Sequence, residues 1–300
     1  MRAPFRICLI GLGEVGEVLA DDLGLRGAAL SAWDLKFDDP SSPPSAAAAA
    51  RALRVGRGAA DAVAGSELVI SAVTAAETVA AAREAAGALP PGAYYLDLNS
   101  ASPAAKIEAA ALVAGHGGRY VEAAVMSPIS PRRLAAPILL GGPAARAFLP
   151  IAHDLGFTGA TLFADEYGQA AAAKLCRSVV VKGLEALLME SLTAARHHGV
   201  EQAVLDSLQG LTGQAGWPEL ASYMLSRAIR HGARRAEEMK EAAAMIAEAG
   251  LPPLMSTACA ETQERAARFS ALPHEGDLRS LLDAILDGRK GAREKEPSTP

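Results

Sequence analysis

The hydrophobic pattern divides the chain into two parts that meet near residue 164. In the first part, short and nearly continuous apolar runs alternate with segments of helical period. These runs cover residues 6–10, 28–34, 67–73, 94–98, 119–125, 137–142 and 156–163. Buried parallel strands have this continuous apolar character, and strands that alternate with helices pair in a parallel sheet. The pattern therefore predicts a doubly wound, mostly parallel α/β domain over residues 1–164.

The second part of the chain has helical period only. Its helical segments cover residues 167–191, 201–209, 220–228, 233–249, 255–268 and 278–286. We expect glycine and proline residues to end these helices, namely Gly210, Gly213, Gly216, Pro218, Gly232, Gly250, Pro252, Pro253 and Pro273. The pattern predicts an all-α domain over residues 165–288, which the long helix 167–191 joins to the first domain. The charged segment 289–300 is expected to be a disordered tail.

A glycine motif stands between the first predicted strand and the first predicted helix. It has the form G-x-G-x-x-G and consists of Gly11, Leu12, Gly13, Glu14, Val15 and Gly16. The first glycine allows a tight turn, the second lets a pyrophosphate approach the backbone, and the third lets the helix pack closely on the strand. The helix N-terminus then holds the phosphates. This context predicts a dinucleotide-binding Rossmann domain, with a glycine turn in an unrelated α/β protein as the alternative.

Further cofactor candidates lie at the ends of predicted strands, where open α/β sheets bind ligands. Asp34 has the spacing expected for an acid that binds the adenosine ribose hydroxyls. Its charge would repel a 2′-phosphate, so NAD is the expected cofactor, while nearby Lys36 keeps NADP open as the alternative. The other candidates are Val73, Thr74, Asn99 and Ser100; helix capping competes for the last two, although Ser102 suits that role better. The proline-rich segment 38–50 is expected to be a loop.

Composition and charge exclude several classes of partner. The formal net charge is −5 and the isoelectric point is about 5.7, so neither nucleic acid nor an anionic membrane is an expected partner. No run approaches the roughly 20 apolar residues of a membrane helix, and the N-terminus does not resemble a signal peptide. The three cysteines, Cys8, Cys176 and Cys259, are far apart, and the six histidines are scattered. We therefore expect a cytoplasmic protein without disulfides or a metal site.

The long helix 167–191 carries a candidate reactive group. Ala170, Lys174 and Ser178 share one face because they are four residues apart, and Lys182 lies one step further along. Small residues around the first turns would let a flat ligand or another backbone approach. Lys174 is therefore where we expect chemistry. The alternative is an ordinary solvated lysine on an amphipathic helix.

Four segments resemble the β-hydroxyacid dehydrogenases, the superfamily of 3-hydroxyisobutyrate and 6-phosphogluconate dehydrogenases. They are the glycine motif, Asp97-Leu98-Asn99-Ser100, Glu122-Ala123-Ala124-Val125-Met126-Ser127 and residues 168–178. The family helix G-x-G-x-x-x-K-x-x-N-N is present with its lysine as Lys174 and with Arg177 and Ser178 in place of its asparagines. In the family substrate segment D-A-P-V-S-G-G, Met126 replaces the serine. Residues 231–243 resemble a subgroup whose phosphogluconate-dehydrogenase-like C-terminal domain has an unresolved function.

The resemblance implies an NAD(P)-dependent oxidoreductase in which Lys174 transfers a proton at the substrate hydroxyl while nicotinamide takes the hydride. The candidate substrate-binding residues are Met126, Ser127, Ser178, Arg234, Arg235 and His231. The two arginines would form a carboxylate clamp. The family's C-terminal lysine–aspartate pair falls on Glu237 and Glu238, and whether these or the arginines take over its role stays open. The resemblance also implies a homodimer, with apolar contacts from Leu184, Leu187 and Leu188.

Three functions are compatible with the sequence. The leading hypothesis is a dehydrogenase that transfers hydride between nicotinamide and a small hydroxy acid or a related secondary or primary alcohol. An imine reductase is the second, since relatives with this fold reduce C=N bonds, although they usually have a different residue in place of Lys174. A dinucleotide-binding sensor without turnover is the third, because the substrate segment departs from the family pattern. The sequence does not name the substrate.

Overall fold

The computed structural model describes residues 5–212, 216–248, 250–271 and 277–293. The chain divides into two compact units, Met1–Leu175 and Cys176–Pro300, which we call the sheet unit and the helical unit. The division lies inside the long helix. The predicted domain boundary between residues 164 and 165, just before that helix, stays a prediction.

An eight-stranded sheet forms the centre of the sheet unit. Its strands are β1 (Arg6–Ile10), β2 (Ala29–Trp33), β3 (Arg54–Val55), β4 (Leu68–Ser71), β5 (Tyr94–Asp97), β6 (Arg119–Val125), β7 (Ile138–Gly141) and β8 (Ala160–Ala164). Their order is β3-β2-β1-β4-β5-β6-β7-β8, and neighbouring strands are parallel except β6 and β7. The chain thus runs outward from β1 in both directions, which confirms the predicted doubly wound, mostly parallel sheet.

Each face of the sheet has its own apolar core. Along β1, Ile7 and Leu9 belong to one cluster of buried residues, and Cys8 and Ile10 belong to the other, because successive strand residues point to opposite faces. The helices of this unit are α1 (Glu14–Leu25), α2 (Pro43–Ala50), α3 (Ala59–Val63), α4 (Thr78–Ala86), α5 (Pro103–Gly115), α6 (Ile129–Arg132) and α7 (Ala145–Asp154). Burial on both faces explains why the strands are continuously apolar.

The segment 38–50 is not the loop that its prolines predict. Leu35–Asp38 forms a 3₁₀ turn, and α2 follows it. Ser42 caps α2 by accepting a hydrogen bond from Ser45 N–H at 3.3 Å. Two prolines occupy the first positions of the helix, where a backbone N–H has no intrahelical partner to lose. The prolines therefore start a helix.

The helical unit contains most of α8 (Gln169–His197) and also α9 (Glu201–Thr212), α10 (Trp217–Glu248), α11 (Leu254–Ala267) and α12 (Leu278–Arg293). Its core includes Leu192, Leu225, Ile229 and Leu282. The described residues after β8 form helices and their connections, which confirms the predicted helical character. The predicted tail 289–300 begins inside α12, and residues 294–300 lie outside the described residues. No helix that the structure describes is both long enough and apolar enough to span a bilayer.

The predicted helix break at Gly232 is wrong, because α10 continues through this residue. A Cβ at Gly232 would overlap the carbonyl oxygen of Gln263 and would lie 2.8 Å from the backbone nitrogen of Ala267, both on α11. The missing side chain lets α10 and α11 approach closely, and this packing offsets the roughly 1 kcal/mol by which glycine disfavours a helix interior. Gly210 likewise lies within α9 and does not end it.

Candidate active site

Packing requires two glycines of the motif. Gly11 follows β1 with φ of +89°, and a Cβ on it would overlap the carbonyl of Ala72. Its N–H donates to the carbonyl oxygen of Trp33 at 2.9 Å, which ties the start of the loop to β2. A Cβ on Gly16, in the first turn of α1, would overlap the carbonyl of Gly11. These close contacts bring the N-terminus of α1 against the end of β1, as a dinucleotide loop requires.

Gly13 leaves the N-terminus of α1 open. It is the N-cap residue of α1, and no side chain caps this helix end. A Cβ on Gly13 would meet no described atom within 4 Å. Because the first N–H groups of a helix have no intrahelical partner, a helix end with open space before it can accept a phosphate. The residues at this position therefore fit the pyrophosphate of a dinucleotide.

The carboxylate of Asp34 supports the glycine loop from the end of β2. Its Oδ2 accepts from Leu12 N–H at 2.8 Å, and its Oδ1 accepts from Lys36 N–H at 2.9 Å. Each oxygen has a further lone pair for a ribose hydroxyl, so the predicted ribose contact is compatible with this support. The side chain of Leu12 is buried, whereas Glu14 is exposed and Val15 is partly exposed.

The other predicted cofactor residues lie close together because β4 and β5 are neighbours. Asn99 is buried; its Oδ1 accepts from Val73 N–H at 2.7 Å, and its Nδ2 donates to Ser71 Oγ at 3.0 Å. The Asn99 amide thus joins the carboxyl ends of the two strands. Thr74 is exposed and Ser100 is partly exposed. These two hydroxyls are better placed than the Asn99 amide to meet a ligand.

Asp97, a buried acid at the end of β5, bonds to several groups around this end of the sheet. The sequence pattern did not reveal these partners. Asp97 Oδ1 lies 2.8 Å from Lys106 Nζ, and Tyr120 OH donates to Asp97 Oδ2 at 2.5 Å. Burial and the charge of Asp97 raise the pKa of Tyr120 well above its usual value, so the phenol remains a donor. Asp97 also accepts from Asn99 N–H at 2.9 Å. The only local signal for this cluster is an acid inside the apolar run 94–98.

The predicted substrate segment follows β6. Met126 N–H donates to the carbonyl oxygen of Pro137 at 2.9 Å, and Ser127 Oγ donates to that of Pro128 at 3.2 Å. The second bond is long for a hydroxyl donor. Both side chains are partly exposed. The backbone of Met126 is therefore occupied, whereas the hydroxyl of Ser127 is only weakly held.

Glu122 of β6 fixes the start of α8. Its side chain is buried, and its two oxygens accept from Gly168 N–H and Ala171 N–H, each at 2.5 Å. A carboxylate here satisfies N–H groups at the helix N-terminus and interacts favourably with the helix dipole. Burial raises the pKa of Glu122, although the two N–H donors oppose that shift. Lys174 is partly buried and lies three residues beyond Ala171, so the anchored turn carries the candidate reactive group.

Inside the helical unit, Ser178 and Lys182 of α8 meet α10. Lys182 Nζ donates to Ser178 Oγ at 3.1 Å and to Glu238 Oε2 at 2.5 Å. Burial lowers the pKa of Lys182, and the ion pair with Glu238 opposes that shift. Glu238 is therefore paired with the buried Lys182, whereas the neighbouring Glu237 is exposed.

The remaining predicted substrate residues also lie on α10. Arg235 is buried and forms an ion pair with Glu185 of α8, so its guanidinium is engaged within the unit. Arg234 is about half exposed, with its Nε 3.9 Å from Glu238 Oε1. His231 lies in the interior of α10 and not at a helix end, because that helix continues without a break.

Both units match described protein families. Residues 6–151 match the NAD binding domain of 6-phosphogluconate dehydrogenase, and residues 195–266 match a domain of unknown function, DUF1932. The crystal structure of a conserved hypothetical protein from Sinorhizobium meliloti is 36% identical, with 96% of this chain and 97% of that chain covered and a TM-score of 0.73. The chain belongs to the β-hydroxyacid dehydrogenase superfamily.

Two further proteins show what this superfamily member is similar to. A probable 3-hydroxyisobutyrate dehydrogenase from Mycobacterium tuberculosis is 25% identical over 212 residues, which is 69% of this chain and 70% of that protein. A reductive aminase from Aspergillus terreus, solved with NADPH, is 20% identical over 94% of this chain and 99% of its own, with a TM-score of 0.57, and shares the fold. The protein is a β-hydroxyacid-dehydrogenase-like oxidoreductase with a domain that binds a nicotinamide dinucleotide.

Compared with the superfamily pattern, this chain keeps the cofactor half and alters the substrate half. The glycine motif and Lys174 agree with that pattern, whereas Met126 and Ser178 depart from it. The sequence made Lys182 visible only as one more position on the face of Lys174. Its partner Glu238 is 56 residues away, so no local spacing connects the two residues.

Proposed function

We propose that this protein is a dehydrogenase that transfers hydride between a nicotinamide cofactor and a small hydroxy acid or related alcohol, with Lys174 as the proton-transfer group. One observation carries the proposal. The sheet unit contains both an uncapped helix N-terminus at Gly13, with open space beside it, and a lysine on the helix that Glu122 anchors. Superfamily membership supports the reaction class, and these residues support the roles.

The roles follow from what each group can do. When it is bound, the nicotinamide ring accepts or donates the hydride. The loop around Gly13 holds the pyrophosphate, and Thr74 and Ser100 are assigned to the nicotinamide end. Lys174 takes the proton from the substrate hydroxyl oxygen in the oxidation and returns it to the carbonyl oxygen in the reduction. A lysine in this role must be neutral whenever it accepts the proton.

NAD is the cofactor we expect, with NADP as the alternative. The Asp34 carboxylate at the end of β2 would repel a 2′-phosphate at the adenosine ribose. The exposed Lys36, two residues further along, acts in the opposite direction. Asp34 is already ordered by two backbone N–H groups, and this fixed position favours its role as the ribose ligand.

The side chains assigned to the substrate are Met126, Ser127, Ser178, Arg234 and His231. Arg234 is about half exposed and can offer a guanidinium to a carboxylate. Arg235 suits that role less well than its position in the sequence suggests, because Glu185 already engages its guanidinium. Ser127 and Ser178 each offer a hydroxyl as a candidate substrate contact.

The proposal is tested with 3-hydroxy acids, aldonates and aryl-substituted diols under both cofactors. We expect Lys174→Ala to lower kcat at least about 100-fold because the proton-transfer group is lost, while the Kd for NADH changes by less than about threefold. Lys240→Met removes an exposed lysine of the helical unit and should keep wild-type turnover. Near-wild-type turnover by Lys174→Ala would show that the role assignment is wrong.

Imine reduction is the second candidate, because a reductive aminase shares the fold. The presence of Lys174 argues against imine reduction, because relatives that reduce C=N bonds usually have a different residue at this position. Cyclic imines in the same assay distinguish the two activities, since turnover of imines without turnover of hydroxy acids would favour imine reduction. NADH binding with no turnover of either class would favour a dinucleotide-binding sensor.

We also propose that the protein forms a homodimer through the helical unit. Val180 and Leu187 of α8 share a face because they are seven residues apart, and they are 70% and 56% exposed. Leu184 is partly buried, whereas Leu188 lies in the core of the unit itself. Exposed apolar side chains on one helix face are typical of an interface between subunits.

Light scattering at micromolar protein should therefore give twice the chain mass of 30.8 kDa. Leu187→Glu would place a charge in the interface and should give a monomer. Leu251→Glu, at an exposed leucine outside α8, is the control and should leave the dimer intact. A monomeric wild-type protein would contradict the proposal.

A further inference from the structure

Lys182 is a buried lysine that the proton-transfer scheme leaves without a role. It is 7% exposed, and its Nζ donates both to Ser178 Oγ at 3.1 Å and to Glu238 Oε2 at 2.5 Å. An ammonium group inside a protein needs a counter-charge, and Glu238 provides it. Neutralising Lys182 therefore does not require the second bond, to Ser178.

The bond from Lys182 determines how Ser178 can act. Because an ammonium group only donates, Ser178 Oγ must be the acceptor, and the hydroxyl hydrogen points elsewhere. A serine inside a helix often donates to the carbonyl oxygen four residues before it. Among the residues that the structure describes, Ser178 Oγ bonds only to Lys182. The side chain is nonetheless buried, so its hydroxyl is a buried donor without an acceptor among the described residues.

The charged surroundings strengthen this donor. A hydroxyl whose oxygen accepts a hydrogen bond from a cation is polarised and donates more strongly. The charged groups that act on Lys182 are Glu238, Arg235 and Arg234 of α10, and Lys182 itself acts on the thiol of Cys259 in α11. Arg235 is paired in turn with Glu185. An oxygen that carries negative charge is the ligand group that best suits such a donor.

We propose that Glu238 and Lys182 form a positioning pair, which orients the Ser178 hydroxyl as a hydrogen-bond donor to the carboxylate of the substrate. The inference rests on the proposed dehydrogenase function and adds two residues to it. Glu238 holds Lys182, Lys182 occupies the oxygen of Ser178, and only Ser178 touches the ligand. Substrates that present a carboxylate oxygen to this hydroxyl are therefore selected over their uncharged derivatives.

The test is calorimetric binding of 3-hydroxyisobutyrate, and of its methyl ester, to the full-length protein saturated with NADH. No turnover occurs in this complex because the acid and the cofactor are both reduced. We expect Ser178→Ala and Lys182→Met each to raise the Kd of the acid about tenfold, and the double variant to raise it no further. Lys182→Arg keeps a charged donor and should restore the Kd to within about threefold of wild type. The Kd of the ester should change by less than about threefold in every variant.

Lys240→Met is the matched control. Lys240 forms an ion pair with Glu264 at 2.5 Å, the same length as that of Lys182 with Glu238, but on an exposed surface of the same unit. Its loss should leave the Kd of the acid unchanged. Additive effects of Ser178→Ala and Lys182→Met would overturn the inference, because Lys182 would then not act through Ser178. If Lys182→Met does not fold, Ser178→Thr must bind like wild type while Ser178→Ala does not.

The outcomes separate this inference from the proposed function. If turnover requires Lys174 but the Kd of the acid does not change in Lys182→Met, the inference is overturned and the proposed function is not. Binding that depends on Lys182 without any turnover would support the inference and overturn the dehydrogenase. A wild-type protein that does not bind the acid at all would overturn the inference.

Discussion

At the scale of single residues, the three positions of the motif are glycine for different physical reasons. Gly11 and Gly16 lack side chains because neighbouring carbonyl groups occupy the space. Gly13 lacks one although the space beside it is open. Packing explains the first two glycines, whereas we assign the third to the approach of a ligand.

Gly13→Ala is therefore expected to weaken NADH binding at least about tenfold, because the added methyl group stands where the pyrophosphate approaches. Its Tm should change by less than about 2 °C, since the methyl group meets no described atom. Calorimetry and thermal unfolding measure the two effects. Gly115→Ala, at the end of α5 and equally free of contacts, should change neither quantity. Unchanged NADH affinity in Gly13→Ala would mean that the phosphates bind elsewhere.

At the scale of elements, continuous apolar runs predicted the strands well, because a parallel sheet is covered on both faces. β1 and β6 have the predicted bounds. The same pattern missed α2 and broke α10 at Gly232. Proline also occurs at the start of helices, and glycine also occurs where two helices pack closely, although both residue types are typical of loops. Only the tertiary packing around each residue distinguishes a helix position from a loop position.

The element that carries Lys174 depends on one buried acid. Glu122→Gln is expected to lower the free energy of unfolding by about 2 kcal/mol, because an amide can accept from only one of the two N–H groups and turns its own NH₂ toward the other. We also expect kcat to fall several-fold, since the turn that carries Lys174 loses its anchor. Urea unfolding and steady-state kinetics measure these changes.

Glu84→Gln is the control for this prediction. Glu84 is an exposed acid on α4, and its substitution should change the free energy of unfolding by less than about 0.5 kcal/mol. If Glu122→Gln changes the free energy of unfolding as little as Glu84→Gln does, the buried carboxylate does not stabilise the start of α8.

At the scale of the whole molecule, the sequence could not predict pairs of distant residues. The glycine motif and Lys174 could be proposed from the sequence because their spacing is local. Glu122 and Gly168 are 46 residues apart, and Lys182 and Glu238 are 56 apart. Each of these residues was visible as a charged or glycine position, but its partner is determined by how the elements pack.

Alkaline stability also depends on the whole molecule, because it compares the folded with the unfolded chain. Burial raises the pKa of Cys8 to about 12 and that of Cys259 to about 11. The resulting stabilisation is complete below the ordinary thiol pKa of 9.0 and is lost as pH rises, because the unfolded chain releases these protons first. We expect the free energy of unfolding to fall between about pH 8 and about pH 10, with about 1.4 kcal/mol of that fall due to Cys8.

Urea unfolding at the two pH values measures this fall. Cys8→Ala should reduce it by about that amount, whereas Cys176→Ala, at an exposed cysteine, should leave it as in wild type. An equal effect of the two substitutions would contradict the assigned cause.

The division between the two units falls inside α8, and this constrains how hybrid enzymes can be assembled from members of the superfamily. A splice after Leu175 would take Lys174 from one parent and Ser178, one turn later, from the other. A splice before Gln169 keeps the two residues together, but the recipient sheet must then supply an acid at the position of Glu122. Recombination at that point would transfer the proposed proton-transfer group together with the helical half, and the Rossmann half would contribute the proposed cofactor site and the anchor.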